Sequence, residues 1–193
     1  GGKTMYKKTN FRISTAMLLV LILMFAITAT VSATTLDVNR VTQAKTKWCW
    51  AATCEMIGTY QNPDSNRTQW DVVKKIKGSD YPNVGGTVTD IKNGIKYASM
   101  DLVTYTSGST LSWSDHTSNI DSSNPIAMWI AWDNGDAHAV VCAGTKTISG
   151  TNYLYVIDPW EDTDSTWYGY EAIKNGTTLL TGKGKYTKSF WKN

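Results

Sequence analysis

The sequence predicts an α+β fold, a helical N-terminal part carrying a cysteine helix packed on a C-terminal antiparallel sheet. Up to about residue 100, apolar residues recur at helical spacing between capping and stop signals. Beyond Pro125 the apolar runs are short, rich in Val, Ile, Tyr and Trp, and separated by turn sequences such as Asp133-Asn134-Gly135-Asp136. Helices first and antiparallel strands afterwards is the α+β order, whereas parallel α/β folds alternate the two.

The first 33 of the 193 residues stand outside that pattern. Lys7, Lys8 and Arg12 make a basic start, residues 16–27 are an unbroken apolar run, and Val31-Ser32-Ala33 is a small-x-small exit. This is the order of a secretory signal peptide, with cleavage expected after Ala33 and Gly1 to Thr4 preceding the initiator Met5. The run falls short of the ~20 residues that span a bilayer, so the expectation is a secreted or cell-surface protein with no membrane contact after cleavage. About 160 residues then form a single domain over 34–193, enough for a substantial core.

Lys3, Lys7, Lys8 and Arg12 are four of the 19 basic residues, and no acidic residue accompanies them. The remaining chain holds 15 basic against 16 acidic residues, so the apparent basicity belongs to the leader and no nucleic-acid partner is expected. Three cysteines allow at most one disulfide and leave an odd thiol, which is not a disulfide scaffold. Cys54 and Cys142 read equally as a bridged pair or as two small buried hydrophobes.

Taken in order, residues 34–42 are an extended lead-in through Leu36, Val38 and Val41 that leaves no room for a large inhibitory pro-domain. A helix rich in Ala and Met follows from Cys49 to about Tyr60 and stops at Asn62-Pro63-Asp64. Thr68-x-x-Asp71 and Thr87-x-x-Asp90 resemble capping boxes, the first ahead of 72–77 with Gly78 as stop. The second precedes a stripe of Val88, Ile91, Ile95 and Ala98. A strand is expected over 101–106 and a short amphipathic helix over 113–121. Strands are then expected over 126–132, 137–145, 151–158, 166–172 and 185–191.

Gln43 stands six residues before Cys49, which is flanked by Trp48 and Trp50 and opens a helix. A helix N-terminus favours the thiolate, the nucleophilic form of cysteine, and an amide N–H from Gln43 suits an oxyanion forming beside the sulfur. The pattern points to acyl transfer; a structural thiol in a Trp-rich core is the alternative. A cysteine nucleophile needs a histidine, and the chain has two. His116 lies in a polar helical stretch and reads as solvated surface. His138 begins a strand directly after a turn, where a scaffold presents catalytic groups.

If 137–145 and 151–158 form a hairpin in which Thr145 faces Thr151, His138 lies opposite Asp158. Opposed residues share a face with Cβ atoms about 5 Å apart, so the carboxylate would hold the imidazole. A slip of one residue would send Asp158 to the other face.

Gln43, Cys49-Trp50, His138 and Asp158, in this order, resemble the papain-like cysteine peptidase superfamily over nearly all of the chain from about residue 40. The nearest resemblance is to its compact bacterial branches, the double-glycine leader peptidases and the papain-like effector and secreted proteases. The third member here is Asp158, where plant and lysosomal members have asparagine. The Cys-Gly-Ser-Cys context of those members is absent, and so is the transporter to which double-glycine peptidases are fused. The resemblance implies Cys49 as nucleophile, His138 as general base and acid, Asp158 as its orienting group and Gln43 with the Cys49 N–H as oxyanion hole. It implies a protein or peptide substrate, no metal and no cofactor, with Trp50 shielding the His138 side and Trp48 as core or cleft wall. Two other outcomes are compatible with these residues. One is an acyltransferase, transglutaminase-like enzyme or amidase using the same triad; the other is a non-catalytic binding module, since nine Trp and ten Tyr suit peptide or glycan recognition.

Overall fold

The computed structural model describes residues 1–2 and 32–193; the basic start and apolar run of the expected signal peptide lie outside the described residues. Strand β1 (Ser32–Thr35) crosses the expected cleavage position, with Thr34 and Thr35 beyond it paired to Thr145 and Gly144.

Three helices follow. Helix α1 (Cys49–Gln61) starts at the cysteine itself and buries Trp50, Cys54, Met56 and Ile57. Helix α2 (Gln69–Lys77) and helix α3 (Val88–Ala98) begin at the two capping boxes read from the sequence. Thr68 N donates to Asp71 Oδ2 at 2.9 Å and Thr87 N to Asp90 Oδ2 at 2.7 Å, so each carboxylate satisfies an otherwise free N–H. The α3 stripe packs inward, with Ile91, Ile95 and Ala98 fully buried. Gly58 lets α1 and α3 touch, since a Cβ there would lie closer than 3.0 Å to Ala98.

Strand β2 (Tyr105–Ser109) starts later than the expected 101–106, because Met100 and Asp101 turn through positive φ and the chain extends only afterwards. Helix α4 (Trp113–Asp121) leads to β3 (Ile126–Trp132), β4 (Ala137–Ile148), β5 (Thr151–Ile157) and β6 (Thr166–Gly169). The strand expected over 166–172 ends at Gly169. Residues Tyr170–Asn175 form helix α5, whose buried Tyr170 and Ile173 stand at helical, not alternating, spacing. Strand β7 (Thr177–Leu179) then turns into the long β8 (Gly182–Lys192). The antiparallel sheet runs β2-β8-β3-β4-β5-β6, with β1 added on β4 and β7 on β8. One core fills the space between α1, α3 and the sheet.

The β4–β5 hairpin differs from the expected register in an instructive way. It closes through Ser149-Gly150, both at positive φ as a two-residue turn requires, so Thr145 faces Leu154, three positions beyond Thr151. A bulge at Ala143 takes one position back, leaving Cys142 opposite Val156, two beyond its expected partner. An even offset preserves the face. The positions of His138 and Asp158 therefore remain on one side of the sheet, diagonal instead of opposed.

His116 corrects another expectation. It is fully buried, its Nδ1 2.9 Å from the Ser112 carbonyl and its Nε2 3.2 Å from the Tyr186 hydroxyl. His116 shares a helix face with Ile120, the residue four on, and that spacing was the available signal. All three cysteines are free; Cys54 and Cys142 are buried separately, Cys54 against Ile91 and Cys142 against Gly144.

Candidate active site

Cys49 is the first residue of α1, and its own N–H makes no backbone bond among the described residues, as expected at a helix start. The Cys49 N–H and the positive end of the helix dipole thus lie at the sulfur's end of the helix. Burial pushes the Cys142 thiol up to about 12 and the Cys54 thiol well above its usual value, so both are inert near neutral pH. Cys49 is half-buried at the wall of a cleft of about 720 Å³.

One wall of the cleft is Cys49, Trp50 and the Gly85-Gly86 loop; the other is the β3–β4 turn, with Trp132, His138, Trp160 and Thr181. Gly86 lies flat on the Trp50 ring, where a Cβ would meet the indole closer than 3.0 Å. Trp50 is anchored by its Nε1, which donates to the Val84 carbonyl at 3.1 Å.

His138 faces Cys49 across this cleft from the second residue of β4. Its Nε2 lies 2.8 Å from Asp158 Oδ1, which leaves Nδ1 as the nitrogen free for the sulfur. Trp132 stacks on the ring at 5.6 Å between centroids and Trp160 meets it edge-on at 6.2 Å. Burial alone would lower the pKa of His138. The hydrogen bond and charge of Asp158, together with the neighbouring Cys49 sulfur, outweigh that, and the imidazole is pushed up to about 9.

Asp158 is 5% exposed, one residue past β5. Burial acts to raise its pKa, but donors surround it and hold it below the usual carboxylate value. Besides His138, Trp160 N donates to Oδ1 at 2.8 Å and the Thr181 hydroxyl to Oδ2 at 2.9 Å. The Arg40 Nε adds a bond to the Asp158 carbonyl at 2.8 Å, tying this loop to the N-terminal segment.

Gln43 is brought close by a different route. Its N–H donates to the Pro159 carbonyl at 2.7 Å, and its Nε2 donates to the Lys45 carbonyl at 2.9 Å. The same carbonyl accepts the Trp48 N–H at 3.0 Å, so the Gln43 amide sits one residue from Cys49. Gln43 does not line the cleft, and its buried Oε1 has no partner among the described residues.

Of the two readings of Trp48, core or cleft wall, the structure shows core. Its ring is fully buried against Trp70 and beneath Lys45, its Nε1 donates to the Pro82 carbonyl at 2.9 Å, and it lies outside the cleft. Sequence reasoning passed over Trp132 and Thr181. Trp132 could be found from its place at the end of the strand paired with that of His138; Thr181 has no local signal, because its contact with Asp158 spans 23 residues.

Arranged this way, a thiol at a helix start, an imidazole and a buried carboxylate can generate and hold a sulfur nucleophile within an open cleft. The Peptidase_C39 like family matches residues 35–184. No curated protein matches the chain. Among solved structures, a protein described as a C39-like peptidase from Bacillus anthracis has the same fold, with a TM-score of 0.55 and 14% identity. That match covers 82% of this chain and 97% of the other.

Proposed function

Because this chain belongs to the Peptidase_C39 like family, and is therefore a cysteine peptidase, we propose that it is an exported endopeptidase working through Cys49, His138, Asp158 and Gln43. The observation that most supports this reading is the His138 ring, fixed by Asp158 at 2.8 Å on one side and facing the helix-start thiol of Cys49 on the other.

In this mechanism the Cys49 thiolate attacks the substrate carbonyl carbon, and the carbonyl π electrons move onto oxygen. The Cys49 N–H stabilises that oxyanion as it forms, joined by the second Nε2–H of Gln43, the one not spent on the Lys45 carbonyl, once substrate draws it to the sulfur. The C–N bond then breaks, and the imidazolium of His138 gives its Nδ1 proton to the departing amine. His138 next takes a proton from water, whose oxygen attacks the thioester. Collapse of the second oxyanion releases the carboxylic acid and restores the thiolate. Asp158 keeps Nε2 engaged throughout, so Nδ1 is the nitrogen that exchanges protons with the sulfur side. Trp132 and Trp160 keep water from the His138–Asp158 bond. The leader-like order of residues 5–33 supports an extracellular peptide or protein substrate.

The test is Cys49→Ala with a fluorogenic peptide library. Hydrolysis is expected to disappear while circular dichroism and the urea midpoint stay at wild-type values. Retained hydrolysis would remove Cys49 from the chemistry. Mass analysis of wild-type products in the presence of an added amine separates acid, expected here, from the amide an acyltransferase would give.

A further inference from the structure

We propose that Gln69 is a positioning residue for this reaction, a surrogate strand partner whose side-chain amide fixes the segment that carries Gln43. The proposal rests on the reading of Gln43 as an oxyanion donor. Gln69 opens α2 and is 5% exposed. Its Oε1 accepts the Ala44 N–H at 2.7 Å and its Nε2 donates to the Thr42 carbonyl at 2.8 Å. These are the backbone groups on either side of Gln43. In an extended chain the carbonyl of one residue and the N–H two positions on point the same way, so one primary amide reproduces the pairing a neighbouring strand would give.

The opposite side of the segment is held as well, by the Gln43 N–H on the Pro159 carbonyl at 2.7 Å. Residues 42–44 belong to no strand of the sheet, so these bonds replace a ladder. Gln69 is itself anchored on the cysteine helix, because its N–H donates to Glu55 Oε2 at 2.6 Å. A continuous path therefore runs from α1, through Glu55 and Gln69, to the two flanks of Gln43. The nucleophile and the amide beside it are referenced to one helix.

Only glutamine meets the requirement at this reach. Glutamate has no donor for Thr42, asparagine is a methylene short, and methionine offers neither group. Oxyanion stabilisation demands donors placed to within a few tenths of an ångström, and an error of about 1 Å costs on the order of 100-fold. Alkylation of a thiolate at a saturated carbon develops no oxyanion, so it reads Cys49 and His138 without reading Gln43.

The experiment measures peptide hydrolysis and iodoacetamide alkylation of Cys49 in Gln69→Met, Gln69→Asn, Gln43→Ala and the Gln69→Met/Gln43→Ala pair. Gln69→Met is expected to lower kcat about tenfold or more with KM little changed, and to leave the alkylation rate at the wild-type value. Gln69→Asn, a neutral amide one methylene short, is expected to lower kcat in the same way with alkylation unchanged, and stays measurable if Gln69→Met does not fold. Adding Gln69→Met to Gln43→Ala should cost nothing further. Parallel loss of hydrolysis and alkylation, additive losses in the pair, or wild-type kcat in the Gln69 variants beside an impaired Gln43→Ala would each overturn the proposal alone. Full kcat in Gln43→Ala would overturn the oxyanion reading and take this proposal with it.

Discussion

At the scale of single residues, the site depends on charges that burial disfavours and neighbours restore. His138 is the clearest case, since its pKa of about 9 exists only because Asp158 and Cys49 outweigh desolvation. Replacing Asp158 by Asn removes a charge and keeps the shape, so the imidazole is expected to fall well below 9. The alkaline limb of kcat/KM should move to lower pH with it, and kcat should drop by about two orders of magnitude or more through loss of the oriented ring. A pH profile of Asp158→Asn that keeps the wild-type alkaline limb would disconnect the two residues. Cys49, His138 and Asp158 were legible because each sits where local pattern marks it: a helix start, a strand start and a strand end. Gln69 and Thr181 were not, because what makes them matter are contacts 25 and 23 residues away in sequence. His116 was misread for the converse reason. Its neighbours in sequence are polar, while its partner Tyr186 lies 70 residues on.

At the scale of elements, boundaries set by local chemistry were readable and those set by neighbours were not. The Thr68 and Thr87 caps and the 126–132 strand follow from residues adjacent in sequence. The bulge at Ala143 and helix α5 depend on what packs against them, which no period in the sequence encodes. Gly144 shows how tight that packing is: a Cβ there would stand 2.8 Å from the Thr34 carbonyl oxygen and 3.1 Å from the Tyr155 Cβ. Gly144→Ala is therefore expected to push β1 off β4 and lower stability by about 1–3 kcal/mol. Urea unfolding should show a reduced midpoint. An unchanged midpoint would mean that β1 adds nothing to the fold.

At the scale of the whole molecule, two histidines act on stability from opposite sides of neutrality. Burial lowers His116 to about 4, against an opposing pull from Ser112 and Asp115. Its contribution is complete above the unfolded value near 6.5 and is lost as pH falls through 6.5 towards 4, a loss on the order of 3 kcal/mol. His138, raised to about 9, contributes fully below about 6.5 and loses that contribution as pH rises through 9. Stability should therefore peak near pH 6.5 in a urea series. His116→Gln is expected to flatten the acid side alone, and a symmetric change would contradict the assignment. The β4–β5 hairpin has a wider consequence. Its two-residue turn gives an odd register, and the single bulge restores the parity that keeps imidazole and carboxylate together. Turn length and bulge are thus inherited as a pair: a loop longer by one residue must shed the bulge, and any insertion between them is tolerated only in even steps.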